Sequence, residues 1–267
     1  MKIAVAAKEL AVDGACAFVP TMGALHRGHQ SLFKLAASHS KEVLASIFVN
    51  PLQFENAEDL EKYPRTPEKD IEMAQAAGVT HLWFPRYEEL YPEGFEKLSA
   101  GPLGDIYEGA SRPGHFDGVV TVVSRLFELA QPRSAVFGEK DFQQLALINK
   151  IESDVEIIAA PTIRESDGLA LSSRNVRLDP DARKAATVIS RALFAATSEQ
   201  SLESAQARLL QILSEEEAFT CDYAEIIDEN EFTPATQSTP HARAIIAGWI
   251  NGIRLIDNIA MKQGAHS

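Results

Sequence analysis

The chain has 267 residues, enough for one large domain or two modest ones with substantial cores. Its 25 basic and 38 acidic side chains leave a net charge of −13, which argues against a general nucleic-acid or anionic-membrane surface. Cys16 and Cys221 have neither metal-binding nor disulfide spacing and read as free, buried thiols. Met1 and Lys2 open a faintly signal-like start, but Lys8, Glu9 and Asp13 interrupt it. No later run approaches the ~20 apolar residues of a membrane span, so a cytoplasmic protein is expected.

Residues 16–19 read as a buried strand, 20–28 as a glycine-containing turn, and 30–39 as a helix with Leu32, Phe33, Leu35 and Ala36 on its apolar side. His26 and His29 therefore flank a glycine at a helix N-terminus, where unpaired N–H groups and the positive end of the dipole attract an anion. Glycine lets the backbone approach that anion, and the histidines add hydrogen bonds that strengthen as charge builds on a phosphate under attack. The HxGH tetrapeptide alone fits a helix cap or a surface group equally well.

A second strand is expected over 43–49, where Pro51 ends it and turns Asn50 and Gln53 toward the same carboxyl edge. Residues 63–66 and Asp70 read as a structural turn and the start of a helix over 67–77, and a third strand follows at 81–84. Residues 108–118 hold three glycines with Arg112 and His115, which suits a mobile lid over an anionic ligand or an ordinary surface loop. The helix expected over 118–130 carries Val119, Val123, Leu126, Phe127 and Ala130 as a core-facing stripe.

The fourth strand, 135–137, runs into Gly138, Glu139, Lys140 and Asp141, then a helix over 142–152 carrying Gln143 and Gln144. A lysine at that crossing can neutralise phosphate charge, Asp141 accepts from ribose hydroxyls or caps the helix, and Gly138 permits close approach of a nucleotide. After a fifth strand over 155–160, the polar loop 162–175 offers Ser172, Ser173 and Arg174. Two hydroxyls and a bidentate cation suit a polyphosphate, although Ser-Ser-Arg is also the make-up of a solvated loop.

Strands alternating with helices imply an α/β fold, a Rossmann-like parallel sheet with helices on both faces and ligands beyond the carboxyl ends of its strands. From Asp179 the pattern changes to helices over 181–197 and 202–213 and strands over 223–227, 244–249 and 253–256. That is a smaller C-terminal α+β domain, with a hairpin at Asn251 and Gly252. The expected domains are 1–176 and 177–267, and 263–267 read as a disordered tail.

Taken together, PTMGALHRGH, SIFVNPLQF, YPRT, GHFDGVVTVV, GEKDFQQL, PTIRESDGLALSSRN and the late LIDNI, in this order over nearly the whole chain, resemble the pantoate–beta-alanine ligase (pantothenate synthetase) family of the HxGH nucleotidyl-transfer superfamily. The resemblance implies a ligase that joins (R)-pantoate to β-alanine using ATP and Mg²⁺. The pantoate carboxylate attacks the α-phosphate to give pantoyl adenylate and pyrophosphate, then the β-alanine amine displaces AMP to give pantothenate, the precursor of coenzyme A.

The resemblance further implies that Met22, Gly23, Ala24, Leu25, His26, Arg27, Gly28 and His29 hold ATP, with His29 in the family's proton-donor position and His26 beside it on the phosphates. Lys140 would neutralise the α-phosphate region. Gly138 and Asp141 would meet the ribose beside Glu139, the Ile163 backbone the adenine edge, and Leu171, Ser172, Ser173 and Arg174 would close over the phosphates. Gln53 and Gln144 would grip pantoate, and Gln53 would also meet β-alanine. No metal ligands are implied.

The implied partners are these three small molecules, with neither nucleic acid nor membrane, in a homodimer formed through the larger domain while the smaller one covers the ATP site. The chain departs from the family pattern at Arg27, where an acidic residue is usual, and at Gln30, where an apolar one is usual. The segment ahead of the first strand is also shorter than usual, its leading helix largely missing. Two rival readings are a nucleotidyltransferase that moves AMP or CMP to a phosphorylated acceptor, and a catalytically silent nucleotide-binding protein. GEKDFQQ together with NPLQF argues against the first, and the second predicts ATP binding without turnover.

Overall fold

A strand that is apolar at every position must be covered on both faces, and Ala17, Phe18 and Val19 are each 0% exposed. The computed structural model describes residues 1–10, 12, 15–55 and 57–261; residues 263–267, expected to be disordered, lie outside the described residues. The chain divides into two compact units, Met1–Pro161 and Thr162–Ser267.

In chain order the first unit contains β1 (Lys2–Ala4), β2 (Ala17–Thr21), α1 (Arg27–His39), β3 (Val43–Ile47), α2 (Ala57–Glu61), α3 (Pro67–Ala76), β4 (His81–Trp83), α4 (Tyr87–Leu90), α5 (Glu108–Ser111), α6 (His115–Ala130), β5 (Ser134–Gly138), α7 (Phe142–Ile148) and β6 (Glu156–Ala160). Among the described residues the strands form one six-stranded sheet in the order β1-β4-β3-β2-β5-β6, with every pairing parallel. Alternation along the strands sends Phe18, Leu44, Trp83 and Phe137 to one face, where they pack against Val123 and Phe127 of α6 and Leu145 of α7. Val19, Ala45, Leu82 and Val136 point to the other, against Phe33 of α1 and Ala74 of α3. The sheet is therefore covered by helices on both faces, as the alternating pattern implies.

Several boundaries differ from the sequence expectation. The sheet gains β1, which pairs Lys2 with His81 and Ala4 with Trp83. Three residues with two of them exposed carry no periodic signal, and the partner strand is far away in sequence. Helix α6 starts at His115 rather than 118, after Gly114 takes a left-handed φ of 75°. Helix α7 stops at Ile148 rather than running to 152, because Lys150 and Ile151 close tight turns onto the carbonyls of Leu147 and Ile148.

In the second unit, α8 (Pro180–Ala196) and α9 (Leu202–Ser214) are followed by β7 (Phe219–Asp228), β8 (Ala242–Ile250) and β9 (Ile253–Ala260). The strands form an antiparallel sheet in the order β7-β8-β9, and Leu193 and Leu209 of the helices share a core with Ile246. Asn251 and Gly252 both have positive φ, 49° and 72°, the combination of a type I′ turn whose twist matches the flanking strands. Cys16 is buried, but Cys221, read from sequence as buried, is exposed on β7.

The division falls after Pro161, ahead of the polar loop that sequence reading placed in the domain 1–176. The loop is tied to the second unit, since Arg164 Nη2 donates to Asp257 Oδ1 at 3.0 Å.

Helix α6 lies close against the turn at residues 51–53. A Cβ on Gly118 would stand 2.3 Å from the Leu52 carbonyl oxygen, so glycine is what lets the helix approach. Gly118→Ala is expected to destabilise the fold by ~1–3 kcal/mol through overpacking, read as a lowered denaturation midpoint in urea. An unchanged midpoint would mean that the helix and the turn separate without strain.

Candidate active site

The chain leaves β2 toward β3 on one side and leaves β5 toward β6 on the other, so β2 and β5 border the switch point of the sheet, where open α/β sheets bind ligands. The segment after β2 carries His26 and His29, and the segment after β5 carries Lys140 and Asp141.

The turn after β2 is made by two left-handed residues, Gly23 at φ 80° and Ala24 at φ 49°. Left-handed backbone at a non-glycine residue costs ~1–2 kcal/mol. It is held from outside by Asp70 in the first turn of α3, a carboxylate 2% exposed. Asp70 Oδ2 accepts from Ala24 N at 3.0 Å and Oδ1 from Leu25 N at 2.8 Å, while Thr66 Oγ1 donates to Oδ1 at 3.1 Å. Hydrogen bonds to a charged group contribute ~1.5–3 kcal/mol each, enough to outweigh the backbone strain.

Helix α1 then begins with a reciprocal cap made by the two histidines. Gly28 N donates to His26 Nδ1 at 3.1 Å, and His26 N donates to His29 Nδ1 at 3.2 Å. A ring nitrogen that accepts from a backbone N–H carries no proton, so both neutral rings carry theirs on Nε2. The rings lie 4.1 Å apart between centroids. Burial, the adjacent His26 and, in opposition, the attraction of Asp141 set the His29 pKa, pushed from 6.5 down to about 3. His29 is thus a neutral Nε2–H donor near neutral pH. The expectation that unpaired backbone N–H groups draw the anion is revised, because those of Ala24, Leu25, His26 and Gly28 are bonded within the loop and to Asp70.

Across the switch point, the Lys140 side chain is 16% exposed and its Nζ lies 3.7 Å from Asp141 Oδ1. The Asp141 carboxylate makes no capping bond to α7, which removes the helix-cap reading and leaves it facing the field of His29. Arg27 is exposed and Gln30 half-buried.

Gln53 is held by a network that sequence reading saw only in part. Asn50 Oδ1 accepts from Leu52 N at 3.2 Å and from Tyr91 Oη at 2.7 Å, while its Nδ2 donates to the Gly118 carbonyl at 3.0 Å and to Gln53 Oε1 at 2.9 Å. A backbone donor on one side and a backbone acceptor on the other fix the Asn50 amide, so Gln53 turns its Oε1 toward Asn50 and its Nε2 away. Burial raises the Tyr91 phenol above its ordinary pKa, keeping it protonated as a donor.

The loop at 108–118 is not a lid offering free cations. Arg112 Nη1 lies 3.0 Å from His115 Nε2 and its Nε donates to Glu55 at 3.2 Å. Since arginine only donates, His115 accepts at Nε2 and gives its Nδ1 proton to the Gln53 carbonyl at 2.8 Å. Both residues therefore brace the Gln53 turn. Gln143 is likewise structural, its Nε2 donating to the carbonyls of Leu103 and Ile106 and its Oε1 accepting from Glu108 N. Gln144 is half-buried beside it.

In the second unit, the loop from Ile163 to Arg174 folds back on itself. Leu171 N donates to the Ile163 carbonyl at 2.9 Å, and Arg164 pairs with Ala170 in a β-bridge. Arg164 grips Asp257 with both guanidinium nitrogens and lies over the Phe194 ring. Ser172 Oγ accepts from Arg174 N at 3.2 Å, starting a short turn. Asp70, Tyr91 and Asp257 are the residues for which sequence reading assigned no such role, because each acts on a segment far away in the chain.

The chain matches the family model described as Pantoate-beta-alanine ligase over residues 2–260. It is 47% identical over 252 residues to a pantothenate synthetase of Chlorobium luteolum, covering 90% of this chain and 89% of that one. A Thermus thermophilus pantothenate synthetase is 47% identical over 254 residues, 91% of each chain. Among solved structures, a pantothenate synthetase from Thermus thermophilus superposes with a TM-score of 0.92 at 45% identity, covering 97% of this chain and 99% of that one. A pantoate-beta-alanine ligase from Francisella tularensis, complexed with beta-gamma ATP and beta-alanine, gives a TM-score of 0.79 at 33% identity with 97% of each chain covered.

Asn50→Asp replaces the donor facing Gln53 with an acceptor, and on the expectation that Gln53 grips pantoate it should raise the Michaelis constant for pantoate by ~10-fold or more. Steady-state kinetics that leave this constant unchanged would remove Asn50 from the positioning of Gln53. The low pKa of His29 also has a stability consequence. Unfolded histidine binds a proton below about 6.5 while the folded ring does not, so stability falls as pH drops from 6.5 toward 3. Urea denaturation between pH 6.5 and 5 should show His29→Gln losing stability less steeply than the parent, by up to ~1.4 kcal/mol per pH unit. Equal slopes would contradict the burial of a neutral ring.

Proposed function

The chain belongs to the pantoate–beta-alanine ligase family, and on that premise we propose how its residues carry the reaction. The enzyme condenses (R)-pantoate with β-alanine in an ATP-dependent reaction to give pantothenate, through pantoyl adenylate, with release of AMP and pyrophosphate. A carboxylate is a poor acyl donor, and the mixed anhydride supplies the leaving group that it lacks.

In our reading ATP lies along Met22–His29 with its α-phosphate between the histidines and Lys140. Gln53 Nε2 and the Gln144 amide hold the pantoate carboxylate and hydroxyls in line with that phosphorus. The carboxylate oxygen bonds to the α-phosphorus as the bond to the bridging oxygen breaks and pyrophosphate departs. Charge builds on the phosphoryl oxygens, and the Nε2–H groups of His26 and His29 with the Lys140 ammonium gain strength against it. The β-alanine nitrogen, arriving as the free amine by Gln53, then bonds to the acyl carbon, AMP leaves with the C–O electron pair, and the amine proton passes to solvent.

From the second unit, Ile163 is assigned to the adenine edge and Leu171, Ser172, Ser173 and Arg174 to the phosphates, on the family resemblance. Gly138, Glu139 and Asp141 are assigned to the ribose side. Among the described residues no group of three or more His, Cys, Asp or Glu side chains is arranged to hold a metal. Mg²⁺ would therefore enter with the nucleotide, held by its phosphates, and would offset phosphate charge there. A homodimer and a cytoplasmic location complete the reading. No helix among the described residues is long and apolar enough to cross a membrane.

The observation that carries this reading is the pair of neutral rings whose Nδ1 atoms are occupied by backbone N–H groups, so that each ring can donate only through Nε2–H. The test is pyrophosphate release from ATP, Mg²⁺ and pantoate, with and without β-alanine, while AMP and pantothenate are followed in parallel. Pantoate-dependent release, turning over to pantothenate only with β-alanine, is expected. His29→Ala and Lys140→Ala should each slow release by ~10²-fold or more; a normal rate in either variant would take that residue out of the mechanism.

A further inference from the structure

We infer that Asp70 is a positioning residue for adenylate formation, filling with its carboxylate the backbone nest at Gly23–Leu25 and so fixing the two histidines as the donors that meet the α-phosphate. The inference rests on the reading that Met22–His29 holds the triphosphate.

Successive backbone N–H groups that a turn aims at one point form a nest, and nests bind anions. Gly23 and Ala24 make one here, with φ 80° and 49°. Its N–H groups, those of Ala24 and Leu25, converge on the two oxygens of Asp70 at 3.0 and 2.8 Å. The fit is close. A Cβ on Gly23 would lie 3.0 Å from Asp70 Oδ2 and 3.1 Å from Ile47 Cγ2, so no larger residue enters without displacing the carboxylate.

Asp70 is not needed to start α3, where Pro67 occupies the first turn and Asp70 N donates to the Thr66 carbonyl at 2.9 Å. What an aspartate adds over a serine or threonine is a pair of acceptors side by side, matched to two consecutive donors. The bonds span 46 and 45 residues of sequence, tying α3 to the turn directly ahead of His26. With the nest closed by an internal anion, phosphate oxygens are excluded from it and meet Nε2–H of the histidines instead. Opening the nest lets the histidine pair lose its aim at the α-phosphate while ATP stays bound.

The experiment is a double-mutant cycle of Asp70→Asn and His29→Ala, following pyrophosphate release at saturating ATP and pantoate and measuring ATP affinity by direct titration. Asp70→Asn keeps the side-chain shape and one acceptor but turns an N–H₂ toward a backbone donor. It is expected to lower kcat ~10-fold or more in the parent and less than ~3-fold in the His29→Ala background, because groups acting through one another are not additive. The ATP dissociation constant should stay within ~3-fold or tighten. Thr66→Val, which removes the third bond to Asp70 without touching the nest, should keep kcat within ~3-fold of the parent.

Equal losses in both backgrounds, an unchanged kcat in Asp70→Asn, or a Thr66→Val loss as large as that of Asp70→Asn would each overturn the inference. A His29→Ala enzyme at the parent rate would instead overturn the phosphate reading, and the inference with it.

Discussion

The parallel pairing of β2 with β3 on one side and β5 on the other is the constraint on which the candidate site depends. Parallel strands end on the same edge, so the segments that leave β2, β3 and β5 all emerge there. They deliver the two histidines, the Asn50–Gln53 turn and the Lys140–Asp141 pair. Phe18 and Trp83, both fully buried, hold the sheet against α6, and Gly118 brings that helix against the Leu52 backbone. Packing on one face of the sheet is thereby transmitted to the amide that orients Gln53.

The turn after β2 illustrates how the site is held when its backbone is locally unfavourable. A left-handed alanine next to a left-handed glycine costs ~1–2 kcal/mol and would relax in an isolated peptide. Two charge-assisted bonds from Asp70, at ~1.5–3 kcal/mol each, exceed that cost. The buried carboxylate is tolerable because three donors surround it. A similar arrangement operates at Gln53, where His115 and Asn50 bond the backbone and side chain of the same residue.

Much of this was legible in the sequence. β2, β3 and β5 are apolar at consecutive positions because both faces are covered, and the residues after them are polar in types that suit phosphate chemistry. Asn251 and Gly252 marked their hairpin because few other pairs tolerate positive φ twice. What escaped was non-local. Asp70 bonds the histidine turn across 46 residues, Tyr91 reaches Asn50 across 41, and Arg164 reaches Asp257 across 93. Nothing in the local pattern around Asp70 separates a carboxylate that starts a helix from one that also ties a distant turn. Arg112 and His115 left two readings open, since their composition suits an anion or a plain surface loop, while their geometry ties them to Glu55, each other and Gln53.

The charge state of the histidines decides what kind of catalysis the site can perform. Two imidazoliums beside Lys140 would bind ground-state ATP and departing pyrophosphate as tightly as the transition state, which lowers a Michaelis constant without raising kcat. Neutral Nε2–H donors instead gain most when charge develops on the phosphoryl group under attack. Desolvation and a second ring 4.1 Å away favour the neutral form at His29, while Lys140 Nζ lies 3.7 Å from Asp141 Oδ1. The backbone caps that occupy both Nδ1 atoms set the direction of the remaining protons, so the packing that places the rings also fixes where their donors point.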